Sequence, residues 1–165
     1  MNSNFRRAIT LILLLLSGFA YAAYDLSDVK AVYVFRIVNF IHWDNESEMS
    51  EVEFCVLGNR EVAATLKSIT QSKTIRQLPV LVSTQYRTEC DIVYVDSNAV
   101  IDFKLSAPQT VMIGDGENIR HLGGTIELIT MEGKVKPKIY LENVGEFSIS
   151  ASLLRIAIVE EEHKT

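Results

Sequence analysis

The chain has 165 residues, with 21 acidic residues against 16 lysines and arginines and a formal net charge of −5. That length supports one domain with a real hydrophobic core. An acidic chain without basic runs argues against nucleic acid or an anionic membrane surface as a partner.

Residues 1–22 read as an export signal. Arg6 and Arg7 give a positive start, 9–16 is an apolar core interrupted only by Thr10, and Ala20-Tyr21-Ala22 is a small-x-small cleavage pattern. The apolar run is too short to cross a bilayer, which takes about 20 residues. Cleavage is expected after Ala22, leaving one domain over 23–165 and no cysteine just past the cut to carry a lipid. The segment removed holds two arginines and no acid, so the formal charge of −5 falls by two, to −7. Both cysteines, Cys55 and Cys90, lie in the exported part. An oxidising compartment predicts a disulfide between them, with two buried free thiols as the alternative. The loop it closes is about 35 residues, worth roughly 3–4 kcal/mol on the chain-entropy account.

Residues 25–41 read as the first helix, with Ser27 as N-cap and an apolar stripe through Val29, Val32, Tyr33, Ile37, Phe40 and Ile41. Lys30 and Arg36 are expected in water. Trp43, the only tryptophan, is read as a packing plug. A strand is expected over 51–57, a short helix over 60–69 capped by Asn59, and strands over 78–82 and 90–96. The last of these is almost continuously apolar, as in a sheet buried on both faces. A short helix over 97–105, a strand over 109–113 and one helical turn over 117–121 follow. Two strands, 125–130 and 135–141, flank a Glu132-Gly133 turn and must pair antiparallel. Pro137 places the second of them at an edge or beside a bulge. Ser150 caps a final helix with Leu153, Leu154 and Ala157 on one face, and Glu160 to Glu162 read as a solvated tail. The fold class is therefore α/β: a single-domain sandwich with a mainly parallel mixed sheet, helices on both faces and an antiparallel C-terminal hairpin.

Catalytic chemistry finds little footing. His42, Asp44 and Glu46 alternate in a loop, which a solvated loop explains as well as a metal would. His121 beside Gly123-Gly124 has no nucleophile placed for it. The two cysteines are too far apart for a CxxC redox pair. Gly114-Asp115-Gly116 follows a strand but lacks the further glycine of a dinucleotide fingerprint and any Walker lysine. No catalytic residue, metal or cofactor is expected. Ligands of open α/β sheets do bind at the carboxyl ends of strands, where Gly58-Asn59-Arg60 and Gly114-Asp115-Gly116 fall. Arg60, facing an anionic group, and Asp115 are the candidate ligand contacts. For a protein partner the candidates are Tyr33 and Phe35, which cannot share one core with Val32 and Ile37, and Tyr140, expected to be exposed on the edge strand.

Several landmarks fall in a recognisable order: Val29-Lys30-Ala31, Phe40-Ile41-His42-Trp43, Cys55-Val56-Leu57-Gly58, Cys90-Asp91-Ile92-Val93-Tyr94-Val95, Gly123-Gly124-Thr125-Ile126-Glu127-Leu128, and the run from Ser150 to Ala157. Together they resemble the YfiR/HmsC-like family of bacterial periplasmic proteins over residues 29–157. The resemblance implies a compact α/β sandwich that tends to dimerise and has no active site to carry over. It implies a repressor that binds the periplasmic sensor domain of an inner-membrane diguanylate cyclase and keeps cyclic-di-GMP and biofilm matrix low. Release would come through redox change or capture by an outer-membrane lipoprotein. This chain lacks the second cysteine pair and the proline after Trp43 that are common in the family. The alternative reading is a small-ligand-binding periplasmic protein that feeds another membrane sensor, such as a histidine kinase.

Overall fold

The computed structural model describes residues 25–101, 107–116 and 118–161. Helix α1 (Leu26–Val38) begins at Asp25, whose carboxylate accepts the Ser27 amide at 2.9 Å. Ser27 is therefore not the cap. It is buried in the first turn, and its hydroxyl donates to Glu61 at 3.2 Å. The carboxylate of Asp25 does the capping with a full negative charge, which the helix N-terminus favours. The buried stripe is also rotated from the one expected: Ser27, Ala31, Val34, Ile37 and Val38 face inward. Small and β-branched side chains let this helix lie close to the sheet, while Val29, Tyr33 and Phe35 line its margins half-buried.

The helix stops before Ile41. Residues 41–43 instead form β1 (Ile41–Trp43), which pairs antiparallel with β9 (Phe147–Ile149) to join the two ends of the described chain. Ile41 and Trp43 point inward and His42 outward, the period-two pattern of a half-buried strand. Trp43 is a plug, as expected: it is buried, and its indole N–H donates to the Gln109 carbonyl at 2.9 Å.

The remaining strands are β2 (Val52–Leu57), β3 (Thr74–Ile75), β4 (Leu78–Ser83), β5 (Ile92–Val95), β6 (Val111–Gly114), β7 (Ile126–Met131), β8 (Lys134–Tyr140) and β10 (Ile158–Glu160). They form one eight-stranded sheet in the order β10-β8-β7-β6-β5-β2-β4-β3. Pairing is parallel from β4 through β7 and between β8 and β10, and antiparallel in the β3–β4 and β7–β8 hairpins. The α/β class, the mainly parallel sheet and the C-terminal hairpin are as the sequence predicts. The Glu132-Gly133 turn has positive φ at both residues (51° and 72°), the geometry that a two-residue hairpin loop demands.

Side-chain alternation divides the core between the two faces of the sheet. On one face Phe54, Ile92, Tyr94 and Ile113 pack against α1, α2 (Arg60–Thr70) and Leu153 of α3 (Ala151–Leu154). On the other, Cys55, Cys90, Val93, Val95, Met112 and Tyr140 pack under Tyr86, Ala99, Ile101, Ile119 and Leu122, which come from turns and loops. Residues 97–101 form a turn and then chain without regular structure in place of the start of the expected helix, and 102–106 lie outside the described residues.

The C-terminal end departs most from expectation. Ser150 does cap α3, accepting the Ser152 amide at 3.3 Å, but that helix is a single turn. The chain then becomes β10 and covers β8 over Lys138, Ile139 and Tyr140. Pro137 therefore sits where the β10 ladder ends, in a strand that is internal to the sheet. Glu160 is no free tail residue: it pairs with Lys138 at 2.7 Å and Arg120 at 3.2 Å. Tyr140, expected to be exposed, is buried, and its hydroxyl donates to the buried carboxylate of Glu127. Burial and then that carboxylate push its pKa up to about 12.

Candidate functional site

Strands β2, β5 and β6 run parallel, and the chain just past their carboxyl ends presents Asn59, Asp96 and Asp115. Gly58, at φ +84°, turns the chain from β2 into α2; a Cβ there would lie 2.6 Å from that of Ala99. Asn59 then has two tasks. Its side-chain oxygen accepts the amides of Glu61 and Val62, each at 3.0 Å, and so caps α2. Its side-chain N–H donates to Asp96 at 2.8 Å. The other Asp96 oxygen accepts from the backbone and side-chain N–H groups of Asn98, at 3.0 and 2.9 Å. Asp115 accepts the Ser97 amide at 2.6 Å.

Into this group α1 sends Lys30. Its ammonium pairs with Asp115 and lies 3.8 Å from Asp96, and the side chains of Lys30, Asp96 and Asp115 are 15%, 2% and 6% exposed. The sequence places Lys30 in water because charge at an unburied helix position reads as a solvated face. The rotation of the buried stripe brings it over the strand ends instead. Burial alone would raise the Asp96 carboxyl. The hydrogen bonds from Asn59 and Asn98 and the charge of Lys30 outweigh it and hold the pKa below the ordinary value. Next to them Tyr94 is fully buried, its hydroxyl facing Asp115 without a hydrogen bond of good geometry. Burial, and then the charges of Asp115 and Asp96, raise that hydroxyl far above the usual phenol range.

A cavity of about 590 Å³ opens beside Asp96 and Asp115, with Ala99, Ile101, Ile119 and Leu122 among its walls and His121 at its rim. One lysine against two carboxylates leaves its polar end negative, which suits a cation or a neutral polar group better than an anion. Arg60 does not join it. Arg60 is exposed at the first position of α2 and borders a separate depression with Lys67, Val82 and Gln85. The two residues expected to share a ligand are thus in different places.

The chemistry of the cluster is largely spent on itself. Lys30 is engaged by two carboxylates, whose oxygens are also filled by amides. The group ties α1 to the end of the sheet. His42 and Asp44 are exposed, and Glu46 turns away to pair with Arg76 at 2.6 Å. Among the described residues no set of three His, Cys, Asp or Glu side chains is grouped to hold a metal ion.

Of the partner candidates, Tyr33 and Phe35 are half-buried beside the core, with the Lys73 ammonium 5.3 Å from the Phe35 ring. Cys55 and Cys90 form a disulfide with Cα atoms 5.9 Å apart, and both residues are buried. It links β2 to the chain that enters the neighbouring strand β5, under the face that, among the described residues, turns and loops cover in place of the helices expected on both faces. The sequence singled out Asp115 but missed Lys30 and Asp96. Asp96 carries the same signal as Asp115, an acid directly after a buried parallel strand.

No helix among the described residues is long and apolar enough to cross a membrane. No curated protein matches the chain. The model of the YfiR/HmsC-like family matches residues 27–158.

Proposed function

Because the chain belongs to the YfiR/HmsC-like family, we propose that it is an exported repressor that binds the periplasmic sensor domain of an inner-membrane diguanylate cyclase. Bound, it keeps cyclic-di-GMP and biofilm matrix production low. The observation that carries this reading is the family match, which spans every described strand and helix save the first residue of α1 and the last residues of β10. The internally paired Lys30 cluster supports it, since a self-satisfied polar network at the strand ends serves the frame of a binding protein. Export by the signal over residues 1–22, a homodimeric state and capture by an outer-membrane lipoprotein belong to the same reading. Tyr33 and Phe35 remain its candidate contacts.

Deleting the gene should raise cyclic-di-GMP and matrix, and restoring the full chain should lower both. The full chain should also retain a membrane protein with a sensor and a cyclase domain in a pull-down from membranes. Unchanged cyclic-di-GMP in the deletion would sink the repressor reading. Sequencing the N-terminus of the exported protein should find Ala23 first.

The cavity beside Asp115 favours a second reading, a periplasmic protein that binds a small ligand and informs another membrane sensor. In that case an NMR titration with periplasmic extract moves the amides around Asp96 and Asp115. Amides that stay fixed remove this reading and leave the repressor untouched.

A further inference from the structure

One edge of the eight-stranded sheet is only partly closed. Strand β3 is two residues long and covers β4 only at Leu78 and Pro79. Beyond them, Val80 to Ser83 pair with β2 on one side, and no described strand pairs with them on the other. The hairpin turn at Arg76-Gln77, with φ of 48° and 77°, makes Ile75 and Leu78 the closing pair. Strand alternation then turns the N–H and C=O groups of Val80 and Val82 to the open side. An unpaired edge of this kind is a template for another strand, and proteins usually blunt it with charge or a bulge.

Here the charge left without an ion-pair partner has one sign. Two depressions, of about 730 and 670 Å³, follow this edge between β4 and α2. Lys67 borders both, Arg60 one end, and Arg87 the opposite face of the strand. Arg87 is paired with Glu53, but Arg60 and Lys67 make no ion pair among the described residues. In a chain of net charge −5 this is a local excess of cations. Leu81, 44% exposed, adds an apolar contact on the face where its register partner Glu53 lies.

We propose that the open edge of β4 takes up an extended segment of a partner protein as a ninth strand. The segment is acidic on the side facing Arg60 and Lys67 and apolar on the side facing Leu81. Backbone hydrogen bonds at Val80 and Val82 supply affinity, and the alternating side chains supply specificity. A second copy of this chain fits less well. Antiparallel pairing of β4 with itself keeps both α2 helices on one face and sets Lys67 against its own copy. The inference stands on this edge and its charges, and it holds or fails apart from the cyclase reading.

The test uses a capped peptide of alternating valine and glutamate, with its valine–lysine counterpart as control, titrated into the full exported protein and followed by NMR. The glutamate peptide should shift the amides of Val80 and Val82 and slow their hydrogen exchange, while the lysine peptide should not. Double charge reversal, Arg60→Glu with Lys67→Glu, should weaken the glutamate peptide about tenfold and admit the lysine peptide. Val82→Pro removes an outward amide that no described ladder uses, and should abolish binding while circular dichroism shows the protein still folded. Equal binding of the two peptides, or shifts centred elsewhere, overturns the proposal. So does a homodimer that Val82→Pro splits while the peptide fails to compete, because the edge then belongs to a second copy.

Discussion

At the scale of single residues the decisive feature is charge taken out of water. Lys30 holds two carboxylates that are almost fully buried. Replacing it by methionine keeps most of the packing of its stem but leaves Asp96 and Asp115 facing each other unpaired. Removing one partner of a buried pair costs about 3–5 kcal/mol, and the slight exposure of Lys30 places this case near the lower figure. Urea denaturation of Lys30→Met should show that loss, and Lys30→Arg should recover much of it. Asp91 behaves in the opposite way. Burial, reinforced by the charges of Glu53 and Glu51, raises its carboxyl from 3.8 to about 6, although it accepts the Glu53 amide at 2.8 Å. The folded state therefore binds this proton more tightly than the unfolded chain does. The stability Asp91 contributes is complete below about pH 4 and is lost as pH rises through about 6. Asp91→Asn keeps an acceptor for the Glu53 amide and has no charge to bury. Its melting temperature should match the wild type near pH 4 and exceed it at pH 7. Equal pH profiles for the two proteins would show that Asp91 is not buried as described.

At the scale of elements, strand β2 is joined to β5 by their parallel ladder and to the chain that enters β5 by the Cys55–Cys90 bond. A bond across a 35-residue separation limits the unfolded chain, and its loss in Cys55→Ala/Cys90→Ala should cost about 3–4 kcal/mol by urea denaturation. Both sulfurs are buried, so reduction should wait on opening of the loops above them and proceed faster in mild urea. How far the elements could be read from the residues follows from what decides each one. The strand around Phe54 could be read from the alternation of Val52, Phe54 and Val56 with Glu51 and Glu53, and the one around Tyr94 because a nearly continuous apolar, mostly β-branched stretch admits little else. Glu132-Gly133 could be read because its glycine marks a turn. Its counterpart at Arg76-Gln77 could not: neither residue is a turn former, and Arg76 is held in place from outside, by Glu46 and by the Trp43 ring 5.6 Å away. The β1–β9 pair and β10 were also hidden, since each is three residues long and exists only because of a partner distant in sequence. The site divides in the same way. Asp115 follows a strand and was found, whereas Lys30 depends on a rotation of α1 that only packing fixes.

At the scale of the whole molecule the question is whether the disulfide gates partner binding or only holds the frame. It lies under the loop-covered face, between the second and third strands from the open β4 edge, while the Lys30 cluster closes the carboxyl ends of the same strands. A gate would need one of those surfaces to change shape when the bond opens. Yet the strands on either side stay paired through Phe54 to Leu57 with Ile92 to Val95, and that ladder does not depend on the sulfurs. Loss of the bond therefore lowers the stability of the whole sheet and leaves the geometry of its surfaces in the surviving folded fraction. On this argument the bond is a staple. At a temperature where both proteins are fully folded, Cys55→Ser/Cys90→Ser should bind the proposed membrane partner with the affinity of the oxidised wild type. As temperature rises its binding should fail earlier, in step with its unfolding measured by circular dichroism. A tenfold loss of affinity in the fully folded mutant would instead show that the bond shapes the binding surface, and would make redox state a control on the partner.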